Sequence, residues 1–152
     1  MKIAIVSGVA EGPTELNAFD NALTEAGIGD VNLIKVSSML EANTQVEKLP
    51  VLKAGSMVNC VLSHITSDNK GDKLITCVAV AIGEELGCVV ENSSVNGDTE
   101  EVEEEAISMV KYMMEKRGVE IKDLIVESAN HTVENIGSSI ASVVYITDNI
   151  IE

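Results

Sequence analysis

A chain of 152 residues with 45% hydrophobic side chains can close one domain around a real core without disulfides or metals, and is too short for two independent ones. One Phe, two Tyr and no Trp leave that core to Val, Ile, Leu, Ala and Met. A formal net charge of −15, with no cluster of Lys and Arg, argues against nucleic acid and anionic membrane as partners, and fits either a soluble acidic surface or a cleft that attracts a cationic substrate.

Met1-Lys2 runs straight into Ile3-Ala4-Ile5-Val6, too short for the apolar region of an export signal, and no stretch reaches membrane-spanning length, so a cytoplasmic location is expected. Residues 2–7 read as a buried strand, which Gly8-Val9-Ala10-Glu11-Gly12-Pro13 is expected to break as a loop. That segment lacks the spacing of a nucleotide-binding glycine loop, and Glu11 would repel phosphate. Thr14 as an N-cap, with Leu16, Phe19, Leu23 and Ala26 at helical spacing, predicts a helix over 14–26 stopped by Gly27. Asp20 falls at the margin of its apolar stripe. Gly27-Ile28-Gly29-Asp30 makes a tight connection to a second strand, Val31-Asn32-Leu33-Ile34-Lys35-Val36, closed by Ser37-Ser38.

The pattern weakens over residues 39–55, where polar Glu41-Ala42-Asn43-Thr44-Gln45 reads as an irregular loop. Strands are expected at 57–65, 74–82 and 88–91, the first two joined by the turn-rich Ser67-Asp68-Asn69-Lys70-Gly71-Asp72. A long helix over 99–117 follows from the Asp98 and Glu101 capping pair, from Val102, Ala106, Met109, Val110 and Met113 as its stripe, and from Gly118 as its stop. Its acidic run from Glu100 to Glu105 reads as a solvated face near the positive end of the helix dipole. Two last strands fall at 121–130 and 139–146. With one helix feeding strands in each half, the pattern suggests a crude duplication, two sheets face to face with a helix outside each.

Cys60, Cys77 and Cys88 are odd in number and lack CxxC spacing, so they read as buried, reduced side chains. His64 and His131 are too few and too isolated for a metal site and read as satisfied structural histidines. Three serine pairs occur, Ser37-Ser38, Ser93-Ser94 and Ser138-Ser139, and serine pairs in loops ordinarily serve local backbone groups.

The first pair stands in distinctive company. Glu11-Gly12, Leu16-Asn17-Ala18-Phe19-Asp20, Gly27-Ile28-Gly29-Asp30-Val31-Asn32-Leu33-Ile34 and Ser37-Ser38 together resemble the pyruvoyl-dependent arginine decarboxylases. The similarity runs on through Ser67-Asp68, Val80-Ala81-Ile82, Gly87 to Glu91, Arg117-Gly118 and His131-Thr132-Val133-Glu134. What the resemblance implies is a single 1–152 domain of the α/β (α+β) class, a four-layer αββα sandwich assembled as a homotrimer with active sites between subunits. It also implies autocatalytic cleavage of the zymogen at Ser37-Ser38 into fragments 1–37 and 38–152. Ser38 would become a covalent pyruvoyl group that supplies the electron sink for converting arginine to agmatine and CO2 in polyamine biosynthesis, with no pyridoxal phosphate and no metal.

On the same resemblance, Glu91 matches the general acid, Asn32 an asparagine that orients the scissile carbonyl, and Asp20 a carboxylate for the guanidinium, with Gly29 and Val31 lining the substrate site. Without the family, Asp20 reads equally as a helix-surface aspartate and Glu91 as a strand-end glutamate. The chain departs from the pattern at Met39-Leu40-Glu41-Ala42, which lacks the usual Pro-Pro, and at Asn92, where an aromatic is usual. These departures keep two alternatives open: the same machinery acting on another amino acid, or a non-processing paralogue that binds a cationic ligand or partner subunit.

Overall fold

A computed structural model describes residues 1–152. Strand β1 (Lys2–Glu11) is longer than its apolar start suggests, because all ten residues pair with β9 (Gly137–Ile146), from Lys2 opposite Ile146 to Glu11 opposite Gly137. The expected break at Gly8 is absent. A side chain there would run into the backbone of Ala22 and Ala26, so this glycine lets the first helix pack directly on the strand. That helix, α1 (Glu15–Glu25), begins where Thr14 Oγ1 accepts a hydrogen bond from the Asn17 N–H at 3.1 Å.

Strand β2 (Asn32–Lys35) is followed by two short strands that flank the expected loop and take in its first and last residues, β3 (Met39–Glu41) and β4 (Gln45–Val46). The first exists because Leu40 is buried between the layers while Met39 and Glu41 pair with β7 (Leu86–Val95). β5 (Met57–Ser67) and β6 (Lys73–Ile82) match their predicted positions closely. β7 runs past Glu91 to Val95, since its polar end still finds partners along β6, Ser93 opposite Thr76 and Val95 opposite Leu74.

Helix α2 (Thr99–Lys116) starts with the Asp98 carboxylate accepting from the Glu101 N–H at 3.2 Å. It buries Val102, Ala106, Val110 and Met114, so the stripe turns away from Met109, which is exposed. β8 (Asp123–Thr132) and β9 close the chain before a short 3-10 turn, Asp148–Ile150.

The strands form a five-stranded sheet in the order β2-β5-β9-β1-β4 and a four-stranded sheet in the order β3-β7-β6-β8. Three apolar layers define four structural ones. Ala22, Ile28, Cys60, Ile140 and Val144 lie between α1 and the first sheet. Ile3, Val61, Val78, Val80 and Val143 lie between the sheets, and Cys77, Cys88, Ala106, Val110 and Met114 lie between the second sheet and α2. The architecture is the expected αββα sandwich, but the two sheets are not the two halves of the chain. The C-terminal β9 sits in the middle of the first sheet and the N-terminal β3 edges the second.

Candidate active site

Ser37 and Ser38 lie in residues 36–38, one of two three-residue links that join an edge strand of one sheet to an edge strand of the other; residues 42–44, between β3 and β4, form the second. The Val36 N–H still donates to Cys60 O on the first sheet at 2.9 Å, and Ser38 O already accepts from the Val89 N–H on the second at 2.8 Å. The Ser37–Ser38 peptide bond spans the gap between these anchors. The Ser37 carbonyl and both hydroxyls make no hydrogen bond, whereas Ser138 and Ser139 are paired with Thr66 and Thr76, each at 2.8 Å.

A cleft of about 440 Å³ opens beside this link, lined by Ser37, Ser38, Lys35, Glu91, Val61 and Met113 among others. A more polar cleft of about 240 Å³ shares Lys35 and Glu91 with it and adds Ser63 and His64. Strand alternation puts Glu91 on the same inward face of β7 as the fully buried Val89. Its carboxylate makes no ion pair or hydrogen bond, and burial raises it above the ordinary carboxyl range, with the Lys35 ammonium opposing. The side chain remains open at its solvent edge, which is what proton delivery to a substrate requires.

Lys35 and His64, to which the sequence assigns no chemical role, join the candidates here. Lys35 Nζ lies 3.3 Å from His64 Nε2, and the imidazole packs on Phe19 with ring centroids 5.1 Å apart. Burial, reinforced by the Lys35 charge, lowers the imidazole's proton affinity, so a neutral His64 accepts from the ammonium. His64 is therefore an exposed residue at the mouth of a cleft, not the satisfied structural histidine expected of it. Lys35 had a usable signal: it stands two residues before Ser37, on the same face of an extended chain. His64 had none, because its place depends on Lys35 pairing with Cys60 across β2 and β5.

The remaining predicted residues gather elsewhere. Gly29 and Val31 line a third cleft, of about 330 Å³, with Thr24 and Asp30. A side chain at Gly29 would strike Thr24, so glycine here permits the close approach of the loop to α1. Asp20 is exposed on α1, its carbonyl accepting from the Thr24 hydroxyl at 3.0 Å. Asn32 opens β2 and donates to Gly55 O at 3.1 Å. About 13 Å of strand separates Asn32 from Val36, so within one chain Asn32 does not reach the Ser37 carbonyl. Asn92, the departure beside Glu91, points the other way and ties β7 to α2 through Val102 O at 3.1 Å.

The other glutamate drawn from the resemblance is fully partnered. Glu11 accepts from the backbone N–H groups of Glu134, Asn135 and Ile136, and its Oε2 lies 2.6 Å from His131 Nε2. Burial alone would raise its carboxyl, but His131 and the backbone donors outweigh that and hold it below the ordinary value. His131 is the satisfied histidine the sequence suggested. The three cysteines are free and buried, and burial pushes the Cys77 thiol up to about 11, so none is poised as a nucleophile.

Comparison with known proteins places the chain in a family. Residues 2–149 match the family model of pyruvoyl-dependent arginine decarboxylase. A protein of that name from Methanothermobacter thermautotrophicus is 64% identical over 146 residues, covering 96% of this chain and 97% of its own. One from Methanocaldococcus jannaschii is 35% identical over 143 residues, covering 92% and 86%. Among solved structures, a pyruvoyl-dependent histidine decarboxylase superposes with a TM-score of 0.54 at 15% identity, over 66% of this chain and 55% of that one, a likeness of fold.

Proposed function

The chain belongs to the pyruvoyl-dependent arginine decarboxylase family, and from that membership we propose that it cuts itself between Ser37 and Ser38 and then decarboxylates arginine to agmatine and CO2, a step of polyamine synthesis. The observation that carries the proposal is the unpartnered Ser37–Ser38 link, stretched between two sheet edges and facing a carboxyl of raised proton affinity.

Cleavage follows from the chain's own groups. Ser38 Oγ attacks the Ser37 carbonyl carbon, the C–N bond breaks, and the Ser37 acyl group moves to Ser38 Oγ as an ester while the Ser38 nitrogen becomes an amine. Loss of the Ser38 α-proton with departure of the Ser37 carboxylate leaves dehydroalanine at 38. Its tautomer takes up water and releases ammonia. Anchors on both sides hold the reacting atoms close, which is where most of the acceleration of such an intramolecular step originates. The small fragment stays bound because β1 remains paired along its whole length with β9.

The residues present fit a pyruvoyl group at position 38: the precursor is in place, half-buried, beside a cleft of a size to admit an amino acid. That group, once formed, supplies the electron sink for loss of CO2. Glu91, whose carboxyl burial raises above its ordinary range, delivers a proton to the substrate carbon after CO2 has left. Asp20 pairs with the guanidinium, Gly29 and Val31 line the substrate site, and Asn32 orients the Ser37 carbonyl. Since Asn32 lies far from the serine link of its own chain, these residues serve the site of a neighbouring subunit in a homotrimer working in the cytoplasm.

Intact-mass spectrometry of purified protein tests the central step. Two fragments dividing between Ser37 and Ser38 are expected; a single full-length species that persists on prolonged incubation refutes it. Amine products from a panel of cationic and neutral amino acids test the substrate, and activity on histidine or aspartate without arginine would sink the specificity. Mixing Asn32→Ala and Glu91→Gln subunits should restore part of the lost activity, because a shared site regenerates some intact copies; no recovery in mixed trimers argues for sites within one chain.

A further inference from the structure

The serine link is anchored on its far side by more than a backbone ladder. Tyr145, on β9 of the five-stranded sheet, donates its hydroxyl to Met39 O at 2.9 Å, and Met39 is the residue bonded directly to Ser38. The phenol reaches across from one sheet to the other, since Tyr145 packs with Ile5, Val36 and Leu40 between the sheets while Met39 belongs to the four-stranded sheet. Three successive anchors result. Val36 is fixed to Cys60, Ser38 to Val89, and Met39 to Tyr145, leaving the Ser37 carbonyl and the two hydroxyls as the unrestrained atoms between them.

We propose that Tyr145 is a positioning residue for chain cleavage: its hydroxyl pins Met39 from the opposite sheet and so fixes where Ser38 Oγ stands when it attacks the Ser37 carbonyl. Without that bond β3 retains only three residue pairs to β7 on its side of the link, at the edge of the sheet. A short edge strand of this kind frays readily, and small displacements of a reacting pair are costly in rate. The anchor keeps its use after the cut. Cleavage frees residue 38 from β2, and the Met39 contact holds the new terminus of the large fragment in the cleft shared with Glu91.

The inference rests on the self-cleavage proposed above, and the experiment separates the two. Freshly made wild-type, Tyr145→Phe and Val143→Ala chains are followed by intact mass as they divide, and their unfolding midpoints are measured in parallel. Tyr145→Phe keeps the ring and removes one hydrogen bond, so its cleavage is expected to slow about tenfold while the midpoint stays near wild type. Val143→Ala hollows the same layer two residues away, and is expected to lower the midpoint further yet divide at the wild-type rate. Brief hydroxylamine treatment, which cuts an ester and spares an amide, should release less fragment from Tyr145→Phe than from wild type. Equal rates for wild type and Tyr145→Phe overturn the inference, as does a Val143→Ala chain slowed just as much, or an unchanged hydroxylamine-sensitive fraction. A wild-type chain that never divides refutes self-cleavage and this role with it.

Discussion

Two glutamates, Glu11 and Glu91, each lie within reach of a histidine and a serine pair, yet the protein treats them in opposite ways. Around Glu11 every acceptor site is used: three backbone N–H groups and His131 converge on it, while Ser138 and Ser139 nearby are closed on Thr66 and Thr76. Around Glu91 far less is closed: Lys35 and His64 bond each other at 3.3 Å, but neither engages the carboxyl. Its carboxyl has no hydrogen-bond partner, the neighbouring Ser37 and Ser38 hydroxyls have none, and two clefts meet there. The contrast sets a cluster closed on itself against one left open, where the proposed chemistry takes place. Saturated polar groups drop in proton affinity or simply lock, and contribute stability; an unsaturated carboxyl is pushed up by burial and stays available for chemistry.

Breaking the reactive side has the largest expected effects. Ser38→Ala removes the attacking oxygen and should abolish division of the chain in intact-mass measurements, whereas Ser139→Ala should leave it unchanged. Glu91→Gln should divide normally but decarboxylate roughly 10²–10⁴-fold more slowly, measured as agmatine formed. Because the Glu91 carboxyl is raised and acts when protonated, wild-type turnover should fall as pH rises through that value; a fall of the same shape in Glu91→Gln would assign the pH dependence to another group.

On the saturated side the effects should appear in stability. Glu11→Gln removes charge-assisted hydrogen bonds and should cost about 1.5–3 kcal/mol at neutral pH by denaturant unfolding. The sign with pH follows from a folded carboxyl held below 4.5, its ordinary value. The stabilisation is complete above the unfolded value and disappears as pH falls through the lower folded one, so wild type and variant should converge on acidification. Smallest is Ser139→Ala, which leaves the buried Thr76 hydroxyl short of a partner and should cost about 1 kcal/mol. A loss of cleavage activity in either variant beyond its loss of folded protein would dissolve the division of roles.

Much of this is legible in the amino-acid sequence. Helix α1 was readable from Thr14 and its apolar spacing, and α2 from Asp98 and Glu101, because caps and periodicity act within a few residues. Strands β5 and β6 were readable from their β-branched runs. By contrast, β1 beyond Ser7, β3 and the polar end of β7 owe their form to partners distant in sequence, and Gly8 looks like a breaker until α1 is laid across it. The serine pair was singled out by the blocks of sequence around it, not by any property of the dipeptide.

The sequence by itself determined the family, through residue types at fixed spacing, and singled out Ser37-Ser38 and Glu91 as the proposed scissile pair and acid. Only the tertiary structure decided that the Ser37–Ser38 bond is a strap between two sheets, that Lys35 and His64 meet beside Glu91, and that Tyr145 holds the far side of the link. Each of these depends on which strands become neighbours. Pairing and the packing of one sheet on the other bring together groups as far apart as Met39 and Tyr145, and burial between them sets which polar groups are satisfied and which remain open.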